Sequence, residues 1–416
     1  MKVLHFGTLV ASQGGPAMST YWALYGLRQQ GVDAEIIMFP LREGDVLRGE
    51  EVPVHYIQSV PHTPLAYASS CKRDIQNAGV FDIYHAQGVW LWSTYALVDV
   101  AKKLGKPYLI TPRGMLYPQD IAKHNKGFKK LSLKWRLLDD LNHAACVHVT
   151  CKDEMMHCRN LGITSPMAII PNPVEIKDYP YKKEDNKFRL GYLGRLSLRK
   201  NVEALIYAFA DMGEMAADAE LLIIGGGDDK YEQFLKDKVL ELGLKNVVFA
   251  GFLNGEEKDK ALASCSVLAM PSEFENLGNV ILEGLVRRIP CIATTGAPWE
   301  ELNTEHCGWQ VPYTQKDITD AVRKAMCTST EELSLMGENG RRLMERKYSV
   351  EAVAKDLKVV YQWILGKGEK PEFVYEGKNQ MLMPKPHSLK NCIKESSSFD
   401  RRNFQKVGCC LQQIEK

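Results

Sequence analysis

The sequence predicts an α/β protein built as two similar halves, each a parallel sheet with helices on both faces. Three observations carry this. Short apolar runs alternate with longer segments of helical spacing over residues 3–170, and the alternation restarts over residues 188–293; that order is expected of parallel sheets. Between the two stretches, residues 171–187 are polar, hold Pro171, Pro173 and Pro180, and lack apolar periodicity, the composition of a linker. Glycine-bearing turns directly follow strands in both halves, at the carboxyl edge where open α/β sheets bind ligands.

The totals agree. With 416 residues there is room for two ordinary domains, and 45% hydrophobic and 25% charged residues suit a folded globular chain. A net charge of +2 gives no electrostatic reason to expect a nucleic-acid partner. No apolar run reaches 18 residues, so no membrane-spanning helix is expected. Met1 to Gly7 opens as a strand running into a glycine turn, without the apolar core of a signal peptide, which points to a cytoplasmic chain. The 11 cysteines are odd in number and contain no Cys-x-x-Cys pair, so they are expected to be reduced thiols.

In chain order, residues 3–6 form a strand, 7–16 a loop holding Gly14, Gly15 and Pro16, 17–30 a helix ended by Gly31, and 34–39 a second strand. Further strands are expected at 83–86, 107–111, 145–149 and 168–170, with a helix over 90–104. The second half runs strand 188–193, loop 194–200, helix 202–212, strand 221–224, the Gly225-Gly226-Gly227 turn, helix 230–242 and strand 247–250. Asn254, with Glu257 three positions on, reads as a helix N-cap. Strand 267–270, helix 279–288 and strand 291–293 follow. Two closing helices span 330–346 and 349–365, with Thr330 and Ser349 as N-caps. From 367 to 416 periodicity ends; residues 378–416 hold eight Lys/Arg against three Asp/Glu, a mildly basic tail.

The stretch most suggestive of chemistry is 270–290. Pro271, Ser272 and Gly278 make a turn between a buried strand and a helix, and Glu275 and Glu283 flank it, eight positions apart. The N–H groups of Asn276, Leu277, Gly278 and Asn279 lie at a helix start, which favours anions through orphan donors and dipole. An acid on each side of an anion-ready turn suggests a phosphorylated ligand that also offers hydroxyls, such as a nucleotide sugar. Arg195 and Lys200, on the loop after strand 188–193, are cations placed to clamp a diphosphate. Gly14-Gly15, opening a helix, is either a close-approach site for phosphate or a plain tight turn. Arg113 follows a strand at a carboxyl edge. Residues 123–136 interleave Lys and Arg with Phe128, Leu131, Leu133 and Trp135, which is either a solvated helix face or a patch for an anionic membrane or lipid-phosphate acceptor. His5 and His85 read as packing residues, and His124 belongs to no motif.

Over residues 1–366 these motifs resemble the family 4 glycosyltransferases of the GT-B type: two Rossmann-like domains with parallel sheets facing across a cleft. The resemblance rests on Gly14-Gly15-Pro16, Gly194-Arg195-Leu196 with Lys200, the Glu275/Glu283 pair, the 225–227 turn and Pro298-Trp299-Glu300-Glu301-Leu302. It implies an N-terminal acceptor domain over 1–172, a linker at 173–187, a donor domain over 188–348, and a last helix near 349–366 crossing back onto the first domain. It implies that Glu283 binds the donor ribose, that Glu275 contacts the donor sugar, and that Asn276, Leu277 and Gly278 bind its hydroxyls and phosphate. Phe252 and Leu253 would read the base through their backbone, Arg195 and Lys200 would neutralise the departing diphosphate, and Gly14 and Gly15 would approach it from across the cleft. No metal or cofactor is implied beyond the nucleoside diphosphate sugar itself. Many relatives carry His where this chain has Arg113. Arginine stays protonated and makes a poor base, which suits the mechanism proposed for retaining members, in which the leaving phosphate oxygen takes the acceptor's proton. Two other readings are open: a nucleotide-sugar 2-epimerase of the same build, and a nucleotide-sugar binding protein without turnover.

Overall fold

A computed structural model describes residues 1–47, 49, 51–62, 65–122, 126–180 and 187–377. The basic tail at 378–416, residues 123–125 of the basic stretch (His124 among them) and linker residues 181–186 lie outside the described residues.

The first sheet takes β1 (Lys2–Phe6), β2 (Asp33–Met38), β3 (Val54–Tyr56), β4 (Ile83–Gln87), β5 (Tyr108–Thr111), β6 (Cys146–Val149) and β7 (Met167–Ile169). The second takes β8 (Arg189–Leu193), β9 (Glu220–Ile224), β10 (Val247–Gly251), β11 (Val267–Met270), β12 (Cys291–Thr294) and β13 (Gly308–Val311); β14 (Val374–Tyr375) returns to the first. Their orders are β14-β7-β6-β5-β4-β1-β2-β3 and β10-β9-β8-β11-β12-β13. Every pairing is parallel except β14, which runs antiparallel on β7. Among the central strands, β11 and β12 are buried throughout, as expected where helices cover both faces of a parallel sheet.

Strand order reverses between β1 and β4 in the first sheet and between β8 and β11 in the second. Crevices open at such switch points, beyond the carboxyl ends of the strands. The Gly14-Gly15 loop, Arg195 with Lys200, and the 271–278 turn therefore follow β1, β8 and β11, three of the four strands that make the crevices.

The helix Val350–Ile364 carries the chain back to the first half. Ser349 caps it, accepting from the Ala352 amide at 3.1 Å as expected. Its Val353, Leu357, Val360 and Tyr361 are buried in one cluster with Leu24 and Leu27 of the Gly15–Gln29 helix; each such apolar side chain contributes about 1.5–3 kcal/mol when fully buried. The helices meet closely at Gly26, where an added Cβ would lie 2.8 Å from Ala354 Cβ.

The linker expected after Asn172 is packed along its first part: Val174 and Ile176 lie on the second core and Tyr179 is buried within it. The Val174 amide donates to Tyr348 O at 2.8 Å, so the two chain crossings lie side by side. Residues 367–377 carry a strand, with Val374 buried, rather than beginning an unpatterned tail. Ser329, not Thr330, caps the Thr330–Leu343 helix through the Glu332 amide. Asn254 precedes the Gly255–Ala263 helix but makes no side-chain cap. Helices Lys152–Asn160 and Gln315–Cys327 and strands β3, β13 and β14 were not predicted, being short or, like Lys152–Asn160, mostly polar. No helix among the described residues is long and apolar enough to cross a membrane.

Candidate active site

The turn after β11 is held from several sides. Glu275 N donates to Gly296 O at 2.7 Å, and Glu273 N donates to Arg199 O at 2.9 Å. Thr294 Oγ1 donates to Ser272 O, and the fully buried Trp299 donates from Nε1 to Leu277 O. Gly278 adopts φ 74°, ψ 69° and starts the Asn279–Val286 helix, a left-handed conformation glycine takes without steric cost. Among the described residues, none accepts from the amides of Asn276, Leu277, Gly278 or Asn279. Ser272 Oγ and Asn276 Oδ1 are buried there without a hydrogen-bond partner among the described residues. Buried polar atoms are ordinarily satisfied, so this turn presents unused donors and acceptors together.

Lys200 and Glu275, chosen separately from sequence, touch: Nζ lies 2.5 Å from Oε1, with the side chains 16% and 10% exposed. Arg195 is exposed, and its carbonyl accepts from Tyr192 Oη at 2.9 Å. Arg199 lies over the Phe274 ring, 4.8 Å from its centroid. Glu283 pairs with Lys258 at 2.6 Å, a partner sequence reasoning missed. Phe252 and Leu253 follow β10; Phe252 is 78% exposed, and no hydrogen bond among the described residues joins either to the other candidates. The strand-end turns do adjoin, since Gly225 N donates to Gly251 O at 2.7 Å and Gly194 N to Ile224 O at 3.0 Å.

The first half meets this turn directly. An added Cβ on Gly15 would lie 2.9 Å from Asn279 Nδ2, and one on Gly114 would lie 2.8 Å from Asn276 Cβ. The N-terminus of the Gly15–Gln29 helix thus approaches that of the Asn279–Val286 helix, and Gly14, at φ 67°, is the exposed N-cap. Two helix starts converging on one place favour an anion between them. Asn172 Nδ2 donates to Asn279 Oδ1 at 2.9 Å, and Cys151 Sγ lies 3.3 Å from Asn276 O. Neither Asn172 nor Cys151 stood out as a site residue in the sequence, because each acts through a neighbour distant along the chain.

Arg113 has a half-buried side chain and a left-handed backbone, φ 54°. Its Nε donates to Gln87 Oε1 at 3.0 Å, Nη1 to Ser19 Oγ at 2.8 Å and Asn172 Oδ1 at 3.3 Å, and Nη2 to Thr20 Oγ1 at 3.1 Å. All four acceptors are neutral, and burial pulls its pKa down to about 10. The neighbouring carboxylate, Glu154, is committed elsewhere: it accepts from Gly114 N and from Thr150 N and Oγ1. A half-buried guanidinium ringed by neutral acceptors is suited to a ligand anion.

Among the described residues, no three His, Cys, Asp or Glu side chains gather as a metal-ligand set. The arrangement presents orphan amides, lysine, arginine and carboxylate at one crevice, a combination that binds phosphate and hydroxyl groups together.

Two family models match end to end: the Glycosyl transferase 4-like domain over residues 14–173 and Glycosyl transferases group 1 over residues 174–343. An uncharacterized glycosyltransferase of Methanocaldococcus jannaschii is 30% identical over 182 residues, covering 43% of this chain and 46% of that one. The chain spans about half the length, or less, of the first curated relatives it matches. Among solved structures, sucrose-phosphate synthase from Thermosynechococcus elongatus aligns with a TM-score of 0.70 at 18% identity, covering 88% of this chain and 99% of that one. Anabaena HepE in complex with UDP-glucose aligns at 0.67 and 18%, covering 86% and 98%. At these identities the structures speak to fold, and both are built as two facing α/β halves of the GT-B type. The paired models, matched in order over residues 14–343, place the chain in the group 1 (family 4) glycosyl transferases.

Proposed function

We propose that this protein is a retaining glycosyltransferase, moving a hexose from a nucleoside diphosphate sugar to a glycan or lipid-linked acceptor in cell-surface polysaccharide biosynthesis. The observation that carries the reading is the crevice holding the Lys200–Glu275 pair and the orphan amides of 276–279, faced by the start of the Gly15–Gln29 helix. That HepE is described in complex with UDP-glucose supports a nucleotide-sugar donor.

In this reading the bond from the sugar's anomeric carbon to the β-phosphate oxygen breaks, and a bond to the acceptor oxygen forms on the same face. The acceptor's proton passes to the departing phosphate oxygen. Lys200, Arg195 and the helix-start amides take up the negative charge that develops on the diphosphate, where fixed donors stabilise most. Glu275 accepts from sugar hydroxyls, Glu283 anchors the ribose, and Arg113 faces the leaving phosphate or an anionic acceptor without acting as a base.

A second observation favours a lipid-linked acceptor and a peripheral contact with an anionic membrane, on its inner, cytoplasmic face. Leu131 is 65% exposed and Trp135 82%, on a surface shared with exposed Lys130 and Lys134. Apolar side chains standing in water beside lysines match a membrane interface. Co-sedimentation with phosphatidylglycerol vesicles tests this: wild type binds, zwitterionic vesicles do not bind it, and Trp135→Ala with Leu131→Ala weakens binding.

Transfer is tested by nucleoside diphosphate release from UDP-glucose and GDP-mannose, with and without acceptor. Full activity in both Glu275→Ala and Lys200→Ala overturns the site. Donor epimerised without acceptor supports the 2-epimerase, and tight donor binding without turnover supports a binding protein.

A further inference from the structure

A file of polar side chains starts at the half-buried Arg113 and Gln87 and runs into the interior of the first half. Arg113 Nε bonds Gln87 Oε1 at 3.0 Å, and Gln87 Nε2 bonds His5 Nδ1 at 3.0 Å. His5 Nε2 meets Tyr361 Oη at 3.1 Å, and that hydroxyl meets His85 Nδ1 at 2.7 Å. His85 Nε2 meets Thr111 Oγ1 at 2.7 Å, which meets His148 Nδ1 at 3.0 Å, and His148 Nε2 ends on Ile170 O at 2.8 Å. The three imidazoles, Thr111 and Tyr361 are all buried.

The two ends dictate every proton in between. The Ile170 carbonyl only accepts, so His148 carries its proton on Nε2 and accepts at Nδ1 from Thr111. Thr111 then accepts from His85 Nε2–H, His85 Nδ1 accepts from Tyr361, and Tyr361 accepts from His5 Nε2–H. His5 Nδ1 accepts from the Gln87 amide, whose oxygen faces Arg113, a group that only donates. The assignment closes without conflict: all seven bonds point the same way, from Arg113 to Ile170, and each polarises the next. Burial keeps the histidines neutral, lowering the pKa of His5 to about 3 and of His148 to about 4, as this polarity demands.

Apart from the two ends, Arg113 and Ile170, Tyr361 is the one member outside the first half's sheet strands. It sits on the helix that crosses back from the second half, and its hydroxyl ties that helix to His5 and His85. From Arg113 a further bond runs to Asn172, and from Asn172 to Asn279 at the anion-ready helix start. We propose that Tyr361 is a positioning residue which, through this chain, orients Arg113 for the transfer step, so that seating of the returning helix is registered at the crevice. This rests on the placement of Arg113 in the donor site given above.

The test is a double-mutant cycle on the full chain, read as steady-state nucleoside diphosphate release from UDP-glucose and GDP-mannose. Tyr361→Phe keeps the ring and removes the hydroxyl. It is expected to lower kcat by about ten-fold or more, since small misplacements of a reacting group carry such costs, with donor KM little changed. In an Arg113→Lys background, which itself slows turnover, the same change is expected to add almost nothing. Equal loss in both backgrounds, or no loss in either, overturns the proposal. Thr111 supplies a second route if Tyr361→Phe does not fold. Thr111→Ser, which keeps the hydroxyl, retains kcat, whereas isosteric Thr111→Val lowers it; the reverse order would mean that packing alone matters. An Arg113→Lys variant with wild-type kcat and KM removes Arg113 from the site, and a wild-type chain releasing neither nucleotide removes the transfer reading. Either also ends the positioning role, by a distinct result.

Discussion

Lys200 Nζ and Glu275 Oε1 lie 2.5 Å apart, in side chains 16% and 10% exposed. The cation proposed to meet the diphosphate and the acid proposed to meet the sugar thus neutralise one another, and in that reading a bound donor divides them. Lys200→Ala is expected to lower kcat by about a hundred-fold or more, the scale of losing one fixed donor to a developing anion. It also leaves Glu275 enclosed without its partner, a loss of about 1–3 kcal/mol visible as a lower Tm. A variant with unchanged kcat and Tm would exclude both roles.

Glu283 behaves differently because its partner, Lys258, lies outside the turn. Glu283→Ala is expected to raise donor KM by about ten-fold, near 1.4 kcal/mol of binding, with kcat nearly preserved. Loss of kcat at unchanged KM would contradict an anchoring role.

The returning helix depends on close approach at Gly26, where an added methyl meets Ala354 Cβ, Val350 Cγ1 and Val350 O, each at 2.8 Å. Gly26→Ala is expected to destabilise by about 1–3 kcal/mol through overpacking. Gly127, in the helix Lys126–Ser132, has open space at its Cβ position, so Gly127→Ala is expected to gain about 0.5–1 kcal/mol. Urea unfolding of the two variants, shifted in opposite directions, measures the contrast.

His5, His85 and His148 all have pKa values lowered by burial, those of His5 and His148 to about 3 and about 4. The folded protein therefore keeps them neutral where the unfolded chain, titrating near 6.5, binds a proton at each. Their contribution is fully present above pH 6.5 and is lost as pH falls from there toward 4. The slope is about 1.4 kcal/mol per pH unit for each histidine. His85→Gln should flatten the pH dependence of unfolding free energy in that window; an unchanged slope would show His85 titrating normally in the fold.

Much of the architecture was legible because its signals are local. Apolar runs in β1, β8 and β11 reflect burial on both sheet faces, and Ser349 announced its helix by capping chemistry. Gly278, Glu275 and Lys200 were found because turn glycines and charges beside strand ends are visible within a few residues. His5 and His85 read only as packing, since nothing in a short window shows that Tyr361, 356 and 276 positions away, would join them. Lys152–Asn160 escaped notice because its exposed face left little apolar periodicity to detect.

What the sequence determined alone was the kind of protein: two parallel α/β halves, with anion-ready turns and charged side chains set at strand ends. Each of those properties follows from spacing and turn chemistry within a short stretch. The tertiary structure decided which of those groups act together. It set Lys200 against Glu275, Asn172 against Asn279 and Cys151 against Asn276, across separations of 75, 107 and 125 residues. Such pairs depend on how helices and sheets pack, which local patterning leaves open: Lys200 meets Glu275 where turns of the second sheet adjoin, and the other two pairs form where the first half meets the turn after β11.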